Sequence, residues 1–116
     1  IQVRNPRARR PWQHVLEPLS GYLWLAANLS RDARTFSSAW NFGPPLESVV
    51  SVEELVKMVL ARFGKGSWLD TSDKNQPHEA TLLNLDCSKA HHRLNWRPSL
   101  RIEQCVELGT MEMNET

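Results

Sequence analysis

Residues 51–64 carry the start, the stripe and the stop of one helix. Ser51 stands where a hydroxyl can accept from a first turn, and Glu54 follows three residues later, the spacing of a capping box. Val52, Leu55, Val56, Val59, Leu60 and Phe63 recur at helical period, and Gly64 is the residue type that most readily leaves a helix. Such a helix buries its stripe only against other elements, and a chain of 116 residues has room for one core to provide them. A nucleotide-binding domain of roughly 150 residues does not fit beside that core. The expectation is a single domain over 1–116, an α/β lobe of α+β character with about four helices, short strands and no dinucleotide-binding domain.

The other elements follow weaker signals. Leu19, Tyr22, Leu23, Leu25, Ala26 and Leu29 recur at helical spacing, with Pro18 tolerated in the first turn, so residues 17–30 are expected to form an amphipathic helix buried on most sides. Pro6 and Pro11 bias their predecessors to extended backbone, which suggests short strands over 1–4 and 12–15 around an Arg-rich turn. Residues 39–42 read as a strand ended by Gly43-Pro44-Pro45, residues 65–80 as a surface loop anchored by Trp68, and residues 81–85 as another strand. Asp86 or Ser88 caps a short helix that Asn95 and Pro98 end, and Ile102, Cys105, Val106 and Leu108 pattern a last helix over 102–111.

Composition removes several classes. Charged residues at 23% and hydrophobic ones at 41% are the balance of a folded soluble domain rather than a disordered chain. The net charge is +1, but residues 1–34 carry six arginines against two carboxylates, a local +4, while the remainder is at −3. The basic end suits an anion; the near-neutral total and the lack of interleaved aromatics argue against nucleic acid. The apolar run over 15–29 is interrupted by Glu17, Pro18, Ser20 and Asn28, too short and too polar to cross a bilayer, and it lacks the small-residue end of a signal peptide. Cys87 and Cys105 are too few for a disulfide framework, which fits a cytoplasmic setting. Adjacent His91 and His92 point to different helix faces, so with Cys87 at most two ligands converge and no metal site is expected.

Five blocks carry a family resemblance. They are Arg9-Arg10-Pro11-Trp12-Gln13-His14-Val15-Leu16-Glu17-Pro18, Trp40-Asn41-Phe42-Gly43-Pro44, Gln76-Pro77-His78-Glu79-Ala80, Leu85-Asp86-Cys87-Ser88-Lys89-Ala90 and Leu94-Asn95-Trp96-Arg97-Pro98. In this order they resemble the C-terminal, substrate-binding part of the CDP-glucose 4,6-dehydratases, which are extended short-chain dehydrogenases/reductases. The first and third blocks resemble the CDP-glucose branch in particular; the last two resemble sugar-nucleotide epimerases and dehydratases at large. In a complete enzyme of that kind the resemblance implies that NAD takes hydride from C4 of the glucose, water leaves across C5 and C6, and hydride returns at C6. The parts that would do this are missing here. The single tyrosine, Tyr22, is followed four residues on by Ala26 rather than lysine, and Gly64-Lys65-Gly66 follows a helix instead of opening one. No cofactor is therefore expected on this chain, and no catalysis by it alone.

The resemblance also implies site residues: Arg10 at the position that contacts a diphosphate, Gln13 and His14 beside it, Asn41 at a strand end near the nucleotide, and His78 in a later loop. Arginine suits the role because its planar fork meets phosphate oxygens two at a time. Asn75 and Gln76 stand where related enzymes place a second arginine. The expected partners are a CDP-sugar, held weakly, and a separate N-terminal NAD-binding domain. The rival expectation is an interaction protein whose exposed lobe face forms a homodimer or a hetero-complex.

Overall fold

Hydrogen-bond bookkeeping on a proline-rich N-terminus sets the first half of the fold. The structure, a computed structural model, describes residues 1–75 and 82–114. Its elements run β1 (Gln2–Val3), β2 (Arg9–Pro11), α1 (Leu16–Arg31), the one-turn α2 (Ala33–Phe36), a 3-10 turn (Leu46–Ser48), β3 (Val49–Ser51), α3 (Val52–Phe63), β4 (Leu69–Asp70), α4 (Ser88–Leu94) and α5 (Ile102–Asn114). Helices with short strands are the architecture expected, and α2 is the one helix not anticipated. Asp32 explains it: its carboxylate accepts the Thr35 N–H at 3.2 Å and so starts a turn immediately after α1.

β2 pairs antiparallel with β3, Arg9 opposite Ser51, Arg10 opposite Val50 and Pro11 opposite Val49. Pro11 has no N–H to offer, so the ladder stops there and the Trp12 N–H folds back onto the Arg10 carbonyl at 3.1 Å. The strand expected over 12–15 is thus displaced upstream to β2. Just before it, the carbonyls of Pro6 and Ala8 accept the Glu53 and Val52 N–H groups at 3.0 and 2.9 Å, satisfying donors at the start of α3. α3 itself forms as expected: Ser51 Oγ accepts the Glu54 N–H at 3.1 Å, and Gly64 closes the helix at φ 73°. Its stripe lies against α5.

β1 pairs parallel with β4, and the N–H groups of Leu69 and Thr71 reach the carbonyls of Ile1 and Val3 at 2.7 and 2.8 Å. The loop expected over 65–80 therefore holds a strand. Both β4 side chains are exposed, so no alternation marked it. Residues 39–42 pair with no strand among the described residues. Of 81–85, residue 81 lies outside the described residues and Leu82 makes only a single bridge to Arg9.

α1 spans the expected range, but its expected burial on most sides does not hold. Only Glu17, Gly21 and Asn28 are buried on it, because α2 and α4 pack on one face. On that face a Cβ at Gly21 would lie 2.3 Å from the Phe42 ring, so the ring rests on bare helix backbone. Phe42 meets Tyr22 and Trp96 edge to face at 5.6 and 5.0 Å, and Phe36, Ala90 and Leu94 complete the core with Leu25, Leu29 and Trp40 against it. The radius of gyration, 17.0 Å, exceeds the ~13 Å of a close-packed domain of this length, in keeping with so small a core.

Glu17 ties α1 to the approach of α5. Its buried carboxylate accepts the N–H of Ser99 at 2.8 Å and that of Leu100, while Ser20 accepts the Trp96 indole N–H at 3.0 Å. Glu17→Ala leaves two donors without that acceptor, and a loss of about 2 kcal/mol is expected in urea unfolding, with a smaller loss for Glu17→Gln, which still accepts. The two interior helix glycines make opposite predictions. Gly21→Ala forces the Phe42 ring away and should cost about 1–3 kcal/mol. Gly109→Ala in α5 meets nothing within 4 Å and should add about 1 kcal/mol in the same assay.

Candidate functional site

The residues expected to grip a substrate occupy three different settings. Arg10 lies mid-strand in β2, half-buried, its Nη1 donating to the Arg9 carbonyl at 2.8 Å, while Arg9 Nη2 donates to Val49 O at 2.7 Å. The next side chain, Trp12, gives its indole N–H to Val50 O at 2.9 Å, so β2 is fastened to β3 by side chains as well as backbone.

Gln13 faces the other way. Its Nε2 donates to the Phe42 carbonyl at 3.3 Å, joining the start of α1 to the segment that holds Asn41. Its Oε1 is buried and accepts no hydrogen bond among the described residues. Asn41 is exposed, and its Nδ2 approaches the Asp86 carbonyl at 3.5 Å. The fold thus sets Gln13 against the backbone of Phe42, the residue after Asn41, and leaves Arg10 on the hairpin.

His14 is turned towards α5. Its Nδ1 accepts the Leu16 N–H at 3.2 Å, which leaves the proton on Nε2 to bond Glu112 Oε1 at 2.8 Å. Both ring nitrogens are spent inside the fold, one on the first turn of α1 and one on the last helix. His78 lies outside the described residues.

Sequence reasoning did not find the clefts. One of about 570 Å³ runs past Pro44, Leu46, Asn84, Asp86 and Ser88, beside Asn41. A second of about 390 Å³ shares Pro44 and Ser88 and is closed by His91, Trp96 and Arg97. The Asp86-x-Ser88 pair was the available signal for the first. Asp86 Oδ1 accepts the Ser88 N–H at 2.9 Å and its hydroxyl as well, which sets the turn into α4. Nothing in spacing foretold the second. Arg97 Nε reaches His91 Nδ1 at 2.9 Å only because Asn95 takes a left-handed conformation, φ 54°, and folds the chain back. Lys89, in the first turn of α4, donates to Ser38 Oγ and Ala39 O at 2.6 and 2.7 Å with its ammonium 4.2 Å over the Trp40 ring.

The electrostatics of these clefts follow from the same contacts. Hydrogen bonds from the Ser88 hydroxyl and N–H hold the Asp86 carboxyl below the usual aspartate value. Burial, with Arg97 and His92 nearby, pushes the His91 imidazole down, so it favours the neutral form. Burial pushes the Cys87 and Cys105 thiols up, which keeps them protonated and poor nucleophiles. Among the described residues no three His, Cys, Asp or Glu side chains converge on a point that could hold a metal ion, and no helix is long and apolar enough to cross a membrane.

A small lobe of helices and short strands, with its clefts at the Asn41 and Asp86 segments, is consistent with the C-terminal region of an extended short-chain dehydrogenase/reductase. No protein-family model matches the chain. A curated relative does, and it bears out the resemblance read from the blocks: the CDP-glucose 4,6-dehydratase of Salmonella typhimurium is 50% identical over 99 residues, which is 84% of this chain. The match covers 27% of that enzyme, so the chain spans about a quarter of the relative's length and is homologous to a part of it.

The Asp86 turn yields a pH prediction. A carboxyl with a lowered folded pKa stabilises the fold above its unfolded value, and that contribution is lost as pH falls through the folded value. The Ser88 amide resonance should therefore stay fixed from pH 7 down to about 4, shift only below that, and lose this acid-range shift in Asp86→Asn.

Proposed function

We propose that this chain is a nucleotide-sugar-gripping lobe of the CDP-glucose 4,6-dehydratase type, acting in the cytoplasm and binding substrate without carrying out the redox chemistry. The observation that carries the reading is the 50% identity to such an enzyme over 84% of the chain. Arg10 is the proposed diphosphate contact, on a strand whose neighbours Arg9 and Trp12 are fastened to β3 and so hold its backbone in place. Gln13 and Asn41 offer amide groups beside one another's segments for sugar or base, and His78 is assigned a further contact. His14 acts indirectly in this reading: its two internal hydrogen bonds fix the turn that presents Gln13.

NAD belongs to the complete enzymes that the chain resembles, and the residues present do not fit it. Gly64, which begins the one Gly-x-Gly, serves as the C-terminal cap of α3, whereas a pyrophosphate needs glycines that open a helix. Tyr22 packs edge to face on Phe42 with Ala26 one turn later, so no Tyr/Lys acid-base pair forms.

The test is a thermal-shift titration of the purified chain with CDP, CDP-glucose, UDP-glucose and dTDP-glucose, each with and without NAD. Cytidine ligands should stabilise it, by about 1.4 kcal/mol at a tenfold excess over Kd, with no effect of NAD and with the shift lost in Arg10→Ala. Absence of any shift at millimolar nucleotide overturns the reading.

A further inference from the structure

α3 contributes no fully buried residue, although its apolar stripe lies against α5. The two helices do not close fully on each other. Between them, with the Trp12–Gln13 stretch as a third wall, is a cavity of about 210 Å³. Native interiors seldom leave a void larger than a water molecule, and a cavity of ~150 Å³ is enough to hold benzene. Leu55 and Val59 of α3 and Ile102 and Val106 of α5 supply apolar walls. Gly109 leaves the α5 side open. A Cβ there would meet nothing within 4 Å, so the helix carries a poor helix former where alanine would fit.

The polar atoms around this cavity call for a donor. Gln13 gives its Nε2 to the Phe42 carbonyl at 3.3 Å, and its buried Oε1 receives no hydrogen bond among the described residues. An acceptor left in that state carries the full cost of its desolvation until a donor reaches it. Thr110, also buried, shares its one hydroxyl proton between the carbonyls of Val106 and Glu107 at 2.9 and 3.0 Å, so any further bond at that oxygen is one it accepts. The Trp12 indole N–H is spent on Val50 O, which leaves that ring as apolar wall. Among the described residues that line the cavity none carries a charge. An ionised ligand would therefore lose its hydration without a counter-charge, and a purely apolar one would leave Gln13 Oε1 unmet.

We infer that the cavity between α3 and α5 binds a small neutral ring compound with one O–H or N–H donor, a phenol or indole in class, with the donor on Gln13 Oε1. Gln13 also stands among the proposed sugar-nucleotide contacts, whereas Gly109 takes no part in that reading and so separates the two. The experiment follows the Gly109 and Thr110 amide resonances of the purified chain during titration with phenol and, in parallel, with toluene, which matches phenol in size but has no donor. Both should shift them, with Kd near about 1 mM. Gly109→Leu, which fills the cavity, should abolish both responses and leave the response to CDP unchanged. Gln13→Met keeps the length of the side chain without its acceptor and should weaken phenol about tenfold relative to toluene, whose retained binding reports a folded variant. Phenol should also slow alkylation of Cys105, which lines the cavity, and not that of Cys87, which lines the clefts beside Asp86. Resonances unmoved up to about 10 mM phenol, meaning water alone in the cavity, overturn the inference. So do shifts that persist in Gly109→Leu, a phenol-to-toluene ratio unchanged in Gln13→Met, or a Cys105 rate that phenol does not alter.

Discussion

The ring of Phe42 resting on the backbone of α1 at Gly21 is the contact on which the rest of the structure depends. A glycine inside a helix costs about 1 kcal/mol relative to alanine, and here that cost is offset by the aromatic packing it permits. Phe42 then meets Trp96 on its far side, and Trp96 draws in α4 through Ala90 and Leu94. The carbonyl of the same Phe42 accepts from Gln13, so the residue that builds the core also places the segment carrying Asn41.

Indole N–H groups extend this arrangement. Trp24, Trp40 and Trp96 donate to Leu94 O, Phe36 O and Ser20 Oγ, and Trp12 donates across the hairpin to Val50 O. Each tryptophan thus buries apolar area and also fixes a backbone or hydroxyl acceptor, a combination that suits a chain with few fully buried side chains. Around the clefts the fixed groups are Asp86, held by Ser88 at the start of the short α4, and the Arg97–His91 pair, set by the left-handed exit of α4 at Asn95.

Local signals were legible wherever the physics is local. Ser51, Glu54 and Gly64 specify α3 at both ends because capping and left-handed exit involve only neighbours in sequence. Asn95 ended α4 for the same reason. The extent of α1 was legible from its period, but its exposure was not, because period shows that a helix has an apolar stripe and not whether the fold covers it. β4 escaped because it pairs through backbone alone, and the shift from 12–15 to β2 turned on the N–H that Pro11 lacks and the one that Trp12 spends on the Arg10 carbonyl. Of the proposed site, family resemblance supplied Arg10, Gln13, His14, Asn41 and His78. That His14 spends both nitrogens inside the fold depends on Glu112, far away in sequence, which no spacing could show.

Glu17 and His14 reach from the start of α1 to the C-terminal part of the chain. The aromatic cluster lies wholly among α1, α2, α4 and the segments beside them, whereas α3 and α5 pack mainly on each other. Two polar links join these parts near the start of α1: Glu17 to Ser99 and Leu100, and His14 to Glu112. Hydrogen bonds are directional and close-range, so they resist sliding poorly once one is broken, unlike an interdigitated apolar seam. The aromatic cluster and the α3–α5 pair are thus joined by directional polar contacts together with the β2–β3 ladder that leads into α3, rather than by one shared apolar core.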